Sequence, residues 1–347
     1  MFNSFTTINP GFYTTIQDEG RWGYQAYGMP VAGAMDRYAY RVANLLAGNQ
    51  ANAATIEMTM LGAAFKFDEN QLVAIGGADM QAKLDGESVS NWSSFLAPKG
   101  SELRFGYAVS GCRAYLALRG GIQVPSVLGS RSTYTRAKVG GLQGRALQQG
   151  DSLDIGRDFG REVRPRVLAA AFIPRYAQQI GIRVLPGPQD DMFTTEATAT
   201  FFRSEYTISD EADRMGYRLE GPKISHVGKA DIVSDALPLG AIQIPAHGMP
   251  IIMMADRQTT GGYAKIGTVI GPDLTKLAQA KPGDKIRFQK ITEPEAVEAL
   301  RQERESYLRI LSSWEETPES APGGCKRTLK VAVQGVEYNV EIEEISD

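Results

Sequence analysis

Pro250-Ile251-Ile252-Met253-Met254-Ala255-Asp256-Arg257-Gln258-Thr259-Thr260-Gly261-Gly262-Tyr263 sets an apolar strand directly against a polar turn. Ile251 to Ala255 predict a buried strand, and an acid, a base, an amide and two hydroxyls follow at its mouth. Gly261-Gly262 lets backbone N–H groups approach a ligand, because glycine has no Cβ in the way. The same grammar recurs three times. It is found in Thr14-Thr15-Ile16-Gln17-Asp18-Glu19-Gly20-Arg21, and in Gly129-Ser130-Arg131-Ser132-Thr133, which Gly140-Gly141 and Gly144-Arg145 follow. Its last occurrence is Asp213-Arg214-Met215-Gly216-Tyr217-Arg218-Leu219-Glu220-Gly221. Arginine offers a rigid fork of donors suited to carboxylate, carbamate or phosphate, and a glycine beside it keeps the fork reachable. Four such loops predict one shared cleft.

The rest of the chain sets the frame. Its 347 residues are 43% apolar, enough for two cores, and 37 glycines with 17 prolines favour short strands joined by many turns. A formal net charge of -3 carries no footprint for nucleic acid or for an anionic membrane surface. The opening Met1-Phe2-Asn3-Ser4-Phe5 has no signal-peptide pattern, and no apolar run approaches a spanning helix, so a cytoplasmic protein is expected. Cys112, in a strand pattern, and Cys325, in a Gly-rich stretch, offer neither a disulfide framework nor metal spacing.

Strands are predicted at Phe12–Ile16, Ala64–Phe67, Leu72–Ile75, Ala82–Leu84, Leu103–Tyr107 and Ala114–Leu118, with one helix from Asp36, a fair N-cap, to Ala47. Asp85-Gly86 is a hairpin signal, and the even strand spacing is that of a barrel or sandwich. Charge and proline break the pattern at Arg161 to Arg166. Strands resume at Ile182–Leu185, Ile242–Ile244, Ile251–Met254, Ala264–Ile270 and Lys285–Phe288. The expectation is a mainly β protein with a few helices, divided into an N-terminal β-barrel domain (1–165) and a second barrel domain (170–292). A helix (293–314), a linker (315–326) and a hairpin (327–347), which either docks on the body or opens a further small domain, complete the chain.

The chain resembles the allophanate hydrolase subunit 2 family, also called the KipA family or the family of 5-oxoprolinase C subunits. The resemblance covers Asn9 to about Ile291. It rests on Thr15-Ile16-Gln17-Asp18 with Gly20-Arg21, Gly33-Ala34-Met35-Asp36, Gly129-Ser130-Arg131-Ser132-Thr133, Asp213-Arg214-Met215-Gly216-Tyr217-Arg218-Leu219, Gln243-Ile244-Pro245 with Gly248-Met249-Pro250, and Asp256 to Tyr263. It implies two cyclophilin-like β-barrel domains and a partner, the subunit 1 protein or its equivalent, the KipI-like B subunit. One family activity joins the A (LamB/YcsF-like), B and C subunits to open 5-oxoproline to glutamate with ATP. The other moves a carboxyl group from carboxybiotin to urea nitrogen. A third role, outside catalysis, is a KipA-type regulator that binds a kinase inhibitor. The sequence contains no Gly-x-x-x-x-Gly-Lys-Ser loop, so ATP, where the reaction uses it, would bind here in another way or sit on a partner. Lys330 to Glu341 looks like the opening of a biotin carrier domain, whose Met-Lys-Met biotin site is absent from this sequence.

The candidate catalytic residues are Asp18, Arg21, Arg131, Arg214, Asp256 and Gln258. Gln17, Ser130, Ser132, Thr133, Gly141, Arg218, Gln243, Thr259, Thr260, Gly261, Gly262 and Tyr263 are candidates for binding a small amide substrate, and no metal set is expected. Donors preset around an oxygen beside nitrogen would serve either reaction, and a carboxamide reads a lactam or urea by donating and accepting at once. Structural alternatives stand beside these roles. Arg131, Arg214 and Arg257 could pair with Asp235, Asp213 or Asp256, and Asp36 is explained by capping. His226 and His247 have no nucleophile at recognisable spacing.

Overall fold

A computed structural model describes residues 3–156, 164–314, 327–333 and 336–342. The predicted linker, Cys325 and residues 161–163 of the predicted boundary lie outside the described residues. Met1–Ser306 forms one compact unit and Tyr307–Asp347 another. In the second unit, strands Arg327–Val333 and Val336–Ile342 pair antiparallel, Arg327 opposite Ile342 and Val333 opposite Val336.

The first unit is mainly β, as the patterning predicts. Its N-terminal body holds two sheets. One, of seven strands, carries Asn3–Asn9 between Ser152–Ile155 and Ala64–Phe67. The other runs in the order Tyr13–Gln17, Thr55–Thr59, Ser110–Leu118, Gln71–Asp79 and Ser93–Ala97. Phe5, Phe65 and Phe67 of the first sheet pack with Ile56, Val73 and Leu116 of the second in one apolar cluster, so this body is a two-sheet sandwich. Closure into a barrel is found in the second body, whose seven strands lie between Gln179 and Lys290. Its ring closes where Gln179–Pro186 runs parallel to Lys285–Lys290. Ile182, Val184, Ile242, Ile252, Ile266 and Ile286 fill its interior.

The predicted helix is Arg37–Leu46, capped as expected: the Asp36 carboxylate accepts from the Ala39 N–H at 3.0 Å. It lies over the Gln71–Asp79 strand, where a Cβ on Gly76 would stand 3.0 Å from the Ala39 carbonyl oxygen. Glycine is what lets the helix come so close. Just upstream, Gly33-Ala34-Met35 crosses to the other body, and Met35 is buried within the barrel's own apolar cluster.

Candidate functional site

Alternation along three neighbouring strands builds the site. Ile16, Ile56, Met58, Ala114 and Leu116 point into the sandwich core. The period of two therefore puts Tyr13, Thr15, Gln17, Thr55, Glu57, Thr59, Arg113 and Tyr115 on the opposite face. Register aligns them in rows: Thr59 is opposite both Tyr13 and Arg113, and Glu57 is opposite both Thr15 and Tyr115. A sheet face this polar cannot sit on an apolar neighbour without losing hydrogen bonds. The barrel answers it with a charged loop.

Arg214, only 7% exposed, reaches out of the barrel into that face. Its Nε and Nη2 donate to the two oxygens of Asp256 at 3.0 and 2.9 Å, its Nη1 donates to Glu57, and Nη2 also donates to the Gly33 carbonyl at 2.7 Å. The other Glu57 oxygen accepts from the Met35 N–H at 2.9 Å and from the Tyr115 hydroxyl at 2.7 Å. Burial works against the guanidinium charge, but Asp256 and Glu57 together hold the Arg214 pKa well above its ordinary value. Burial raises the pKa of Asp256, opposed by Arg214 and assisted by Glu57, so two buried acids share one cation. The network continues to Asp36, whose N–H donates to the Tyr115 hydroxyl and whose carboxylate accepts from Gln279 Nε2 at 2.7 Å. Complete burial pushes the Asp36 pKa up to about 6 despite its hydrogen bonds.

A second cluster lies on the same sheet. Asp18 Oδ1 accepts from the hydroxyls of Ser130 and Ser132 at 2.6 and 2.5 Å and from the Gly20 N–H at 2.8 Å, while Oδ2 accepts from the Arg131 N–H at 2.5 Å. That clasp ties the 130–132 loop to the end of the Tyr13–Gln17 strand. It brings Arg21 inside, with no exposed surface. Arg21 Nη2 donates to the Ser132 carbonyl, while its Nε and Nη1 are buried donors without an acceptor. Burial lowers the Arg21 pKa, and the nearby charges of Asp18 and Asp256 oppose the shift. Gly140, at φ +70°, is required here, since a Cβ would collide with the Ser132 oxygen and with the Arg21 guanidinium. Gln17 Nε2 donates to Thr15 Oγ1 and to the Thr133 carbonyl, and its Oε1 is buried without a donor.

Where the sandwich and the barrel meet there is a cleft of about 290 Å³. Tyr13, Thr59 and Arg113 form one wall, Thr135 and Arg136 a second, and Ala212 to Met215 with Asp256 the barrel side. The Tyr13 hydroxyl lies 3.2 Å from Thr135 Oγ1, and burial raises its pKa. Thr59 Oγ1 and Arg113 Nε are buried without partners.

The structure thus gathers Arg214 and Asp256 in the cleft, with Arg21 within the field of Asp256. Other predicted residues go elsewhere. The Arg131 side chain donates to the Val124 carbonyl at 3.1 Å and to Gln123, on the sandwich's far sheet. Arg218 is exposed and pairs with Glu211. Thr260, Gly261, Gly262 and Tyr263 form a strand that pairs with Asp231–Ala236 outside the barrel ring. The amide nitrogens of Gln243 and Gln258 flank Gly261, Gln243 Nε2 donates to the Tyr263 carbonyl at 3.2 Å, and Thr259 accepts from the Leu237 N–H. Thr133 hydrogen-bonds Ile16, and a Cβ on Gly141 would strike the Thr133 hydroxyl. Arg257 turns back to the Leu237 and Met254 carbonyls, and burial with Arg37 nearby lowers its pKa to about 10. Neither histidine lines the cleft. Sequence reasoning passed over Tyr13, Glu57, Thr59, Arg113 and Tyr115. The available signal was polar side chains at every second position of otherwise apolar strands.

Known proteins align with this chain over most of its length. A family model described as carboxyltransferase domain, subdomain A and B, matches residues 27–290. The chain is 38% identical to the 5-oxoprolinase C subunit of Escherichia coli (strain K12), over 88% of this chain and 96% of that protein. It is 35% identical to the urea amidolyase of Saccharomyces cerevisiae, over 89% of this chain and 17% of that protein. The crystal structure of Kluyveromyces lactis urea carboxylase superposes with a TM-score of 0.84 at 27% identity, covering 98% of this chain and 32% of that chain.

Proposed function

The chain belongs to the carboxyltransferase domain family, subdomains A and B, and from that membership we propose that it is the C subunit of an ATP-dependent 5-oxoprolinase. In this reading it works with a KipI-like B subunit and a LamB/YcsF-like A subunit to open the lactam of 5-oxoproline to glutamate, and ATP is bound in the complex. The observation that carries the reading is the seam cleft, at the small end of ligand-site volumes and floored by a buried ion pair. Asp256 can accept the N–H of an amide. Tyr13 can donate to the amide oxygen, where charge gathers as the carbonyl is activated. Arg214 spends its donors on Asp256, Glu57 and Gly33 and so holds that acid in place. Phosphorylation of the lactam oxygen by ATP would turn a resistant amide into a better electrophile.

The test is reconstitution with the partner proteins. ATP consumption that depends on 5-oxoproline, with glutamate as product, is expected, and Asp256→Asn should reduce it about a hundredfold or more. Absence of glutamate from the complete assembly would overturn the reading. A second reading, carboxyl transfer from carboxybiotin to urea, is favoured by the alignment with urea carboxylase over 98% of this chain. The same assembly given urea, bicarbonate, ATP and a biotinylated carrier separates the two.

A further inference from the structure

Tyr13, Thr59 and Arg113 lie side by side across three hydrogen-bonded strands, each on the sheet face that walls the cleft. Two of the three carry idle polar atoms. Arg113 is 4% exposed, and its Nη1 donates to the Tyr217 hydroxyl and the Ala278 carbonyl at 2.7 and 2.6 Å, while its Nε has no acceptor. Its cross-strand partner Thr59 has a buried hydroxyl, also without a partner. Burying such donors unmet costs free energy that an acceptor would return. Arg113 forms no ion pair among the described residues, and the acid whose field reaches it, Glu57, is bonded to Arg214, the Tyr115 hydroxyl and the Met35 N–H instead. Arg136, on the adjoining wall, has among the described residues the Met215 sulfur alone, 3.1 Å from its Nη1. The acid lining the cleft outside the Arg214 pair is Asp213, whose Oδ1 is taken by the N–H groups of Met215 and Gly216.

We propose that Thr59, Arg113 and Arg136 form a subsite for a carboxylate carried by the amide substrate, so that the cleft selects a lactam acid over a neutral amide. This rests on the reading above that the cleft takes a small amide. A carboxylate supplies what the three residues lack: acceptor lone pairs for Thr59 Oγ1 and Arg113 Nε, and a negative charge for two arginines. The amide end then lies toward Asp256 and Tyr13. Urea fills the amide end alone and leaves the buried donors unmet, a strong basis for discrimination.

The test is ligand-observed NMR titration of the chain assembled with its partner proteins, without ATP, using 5-oxoproline and 2-pyrrolidinone, the same lactam lacking the carboxylate. 5-Oxoproline should bind at least about tenfold more tightly, and Arg136→Gln and Thr59→Val should each erase most of that preference by weakening the acid about tenfold. Equal affinity of the two lactams for the unmodified assembly would overturn the subsite, as would variants that weaken both equally. Binding of neither lactam would overturn the amide-site reading and the subsite with it. Carboxylate-dependent binding without ATP-driven glutamate formation would leave the subsite standing and remove the 5-oxoprolinase reaction.

Discussion

The barrel and the five-stranded sheet dispose of the two faces of a strand in opposite ways. In the barrel, the inward residues of all strands meet one another, and Ile182, Ile242, Ile252 and Ile286 are fully buried in a single apolar cluster. Polar side chains on the outside of the ring are mostly exposed or half-buried, with Gln243 and Lys265 as buried exceptions. In the open sheet, Ile56 and Leu116 serve the sandwich core while their neighbours Glu57 and Tyr115 point the other way, bonded to each other and, through Glu57, to Arg214 of the barrel loop. The open sheet needs the barrel as a lid over its polar side, and that enforced contact is where the cleft forms. Chemistry here is assembled on the face that the core does not use.

The comparison breaks first at Arg214. Arg214→Ala leaves Glu57 and Asp256 buried without their cation, and about 3–5 kcal/mol of stability should be lost in urea denaturation. A loss under about 1 kcal/mol would mean that the polar face is wet and that the contrast with the barrel is false. Ile252→Ala sharpens it from the other side. This cavity in the barrel interior should cost roughly 2–5 kcal/mol yet leave 5-oxoproline binding intact once the protein is folded, whereas Arg214→Ala should abolish binding.

Asp36 sets a smaller, pH-dependent effect at the same seam. Its carboxyl has a folded pKa of about 6 against an ordinary 3.8, so the folded state holds the proton more tightly than the unfolded state. Stability from this group is therefore present at low pH and declines as pH rises through that window, with no further change above it. Asp36→Asn, which keeps an N-cap, should flatten that part of the melting-temperature profile. If the slope survives the substitution, another group is responsible. The smallest effect belongs to Thr59. Thr59→Val removes a hydroxyl that bonds nothing, so unfolding free energy should change by no more than about 0.5 kcal/mol while acid binding falls. Such a split would place the residue on the working face rather than in the scaffold.

Much of this architecture is legible in the chain. Apolar runs mark the strands at Ala64–Phe67, Ile251–Met253 and Lys285–Lys290, and Asp36 marks the helix start. Strand Thr55–Thr59 escapes such a reading, because Glu57 interrupts the apolar pattern and its burial depends on Arg214, far along the chain. The arginine-glycine loops read as one ring of donors. Two of those arginines, Arg21 and Arg214, do come near Asp256, but Arg131 is drawn to the Val124 carbonyl by the clasp around Asp18. Local sequence reports that a guanidinium is accessible to its glycine-rich neighbours. Which way it turns is decided by acceptors from other strands. That the N-terminal body is a sandwich and only the second body closes also lies beyond strand spacing, which is similar in both.

The Gly33-Ala34-Met35 crossing has a mechanical consequence. Its carbonyl is bonded to Arg214, its amide to Glu57, and its methionine sits in the barrel's apolar cluster, so three residues act as a rivet through both bodies. To swing them apart, a hinge would have to draw a buried side chain out of close packing, which makes gaping a form of partial unfolding rather than a working stroke. Substrate must therefore enter and leave through a fixed aperture. Half of the protein made alone would carry either a protruding methionine or an empty socket.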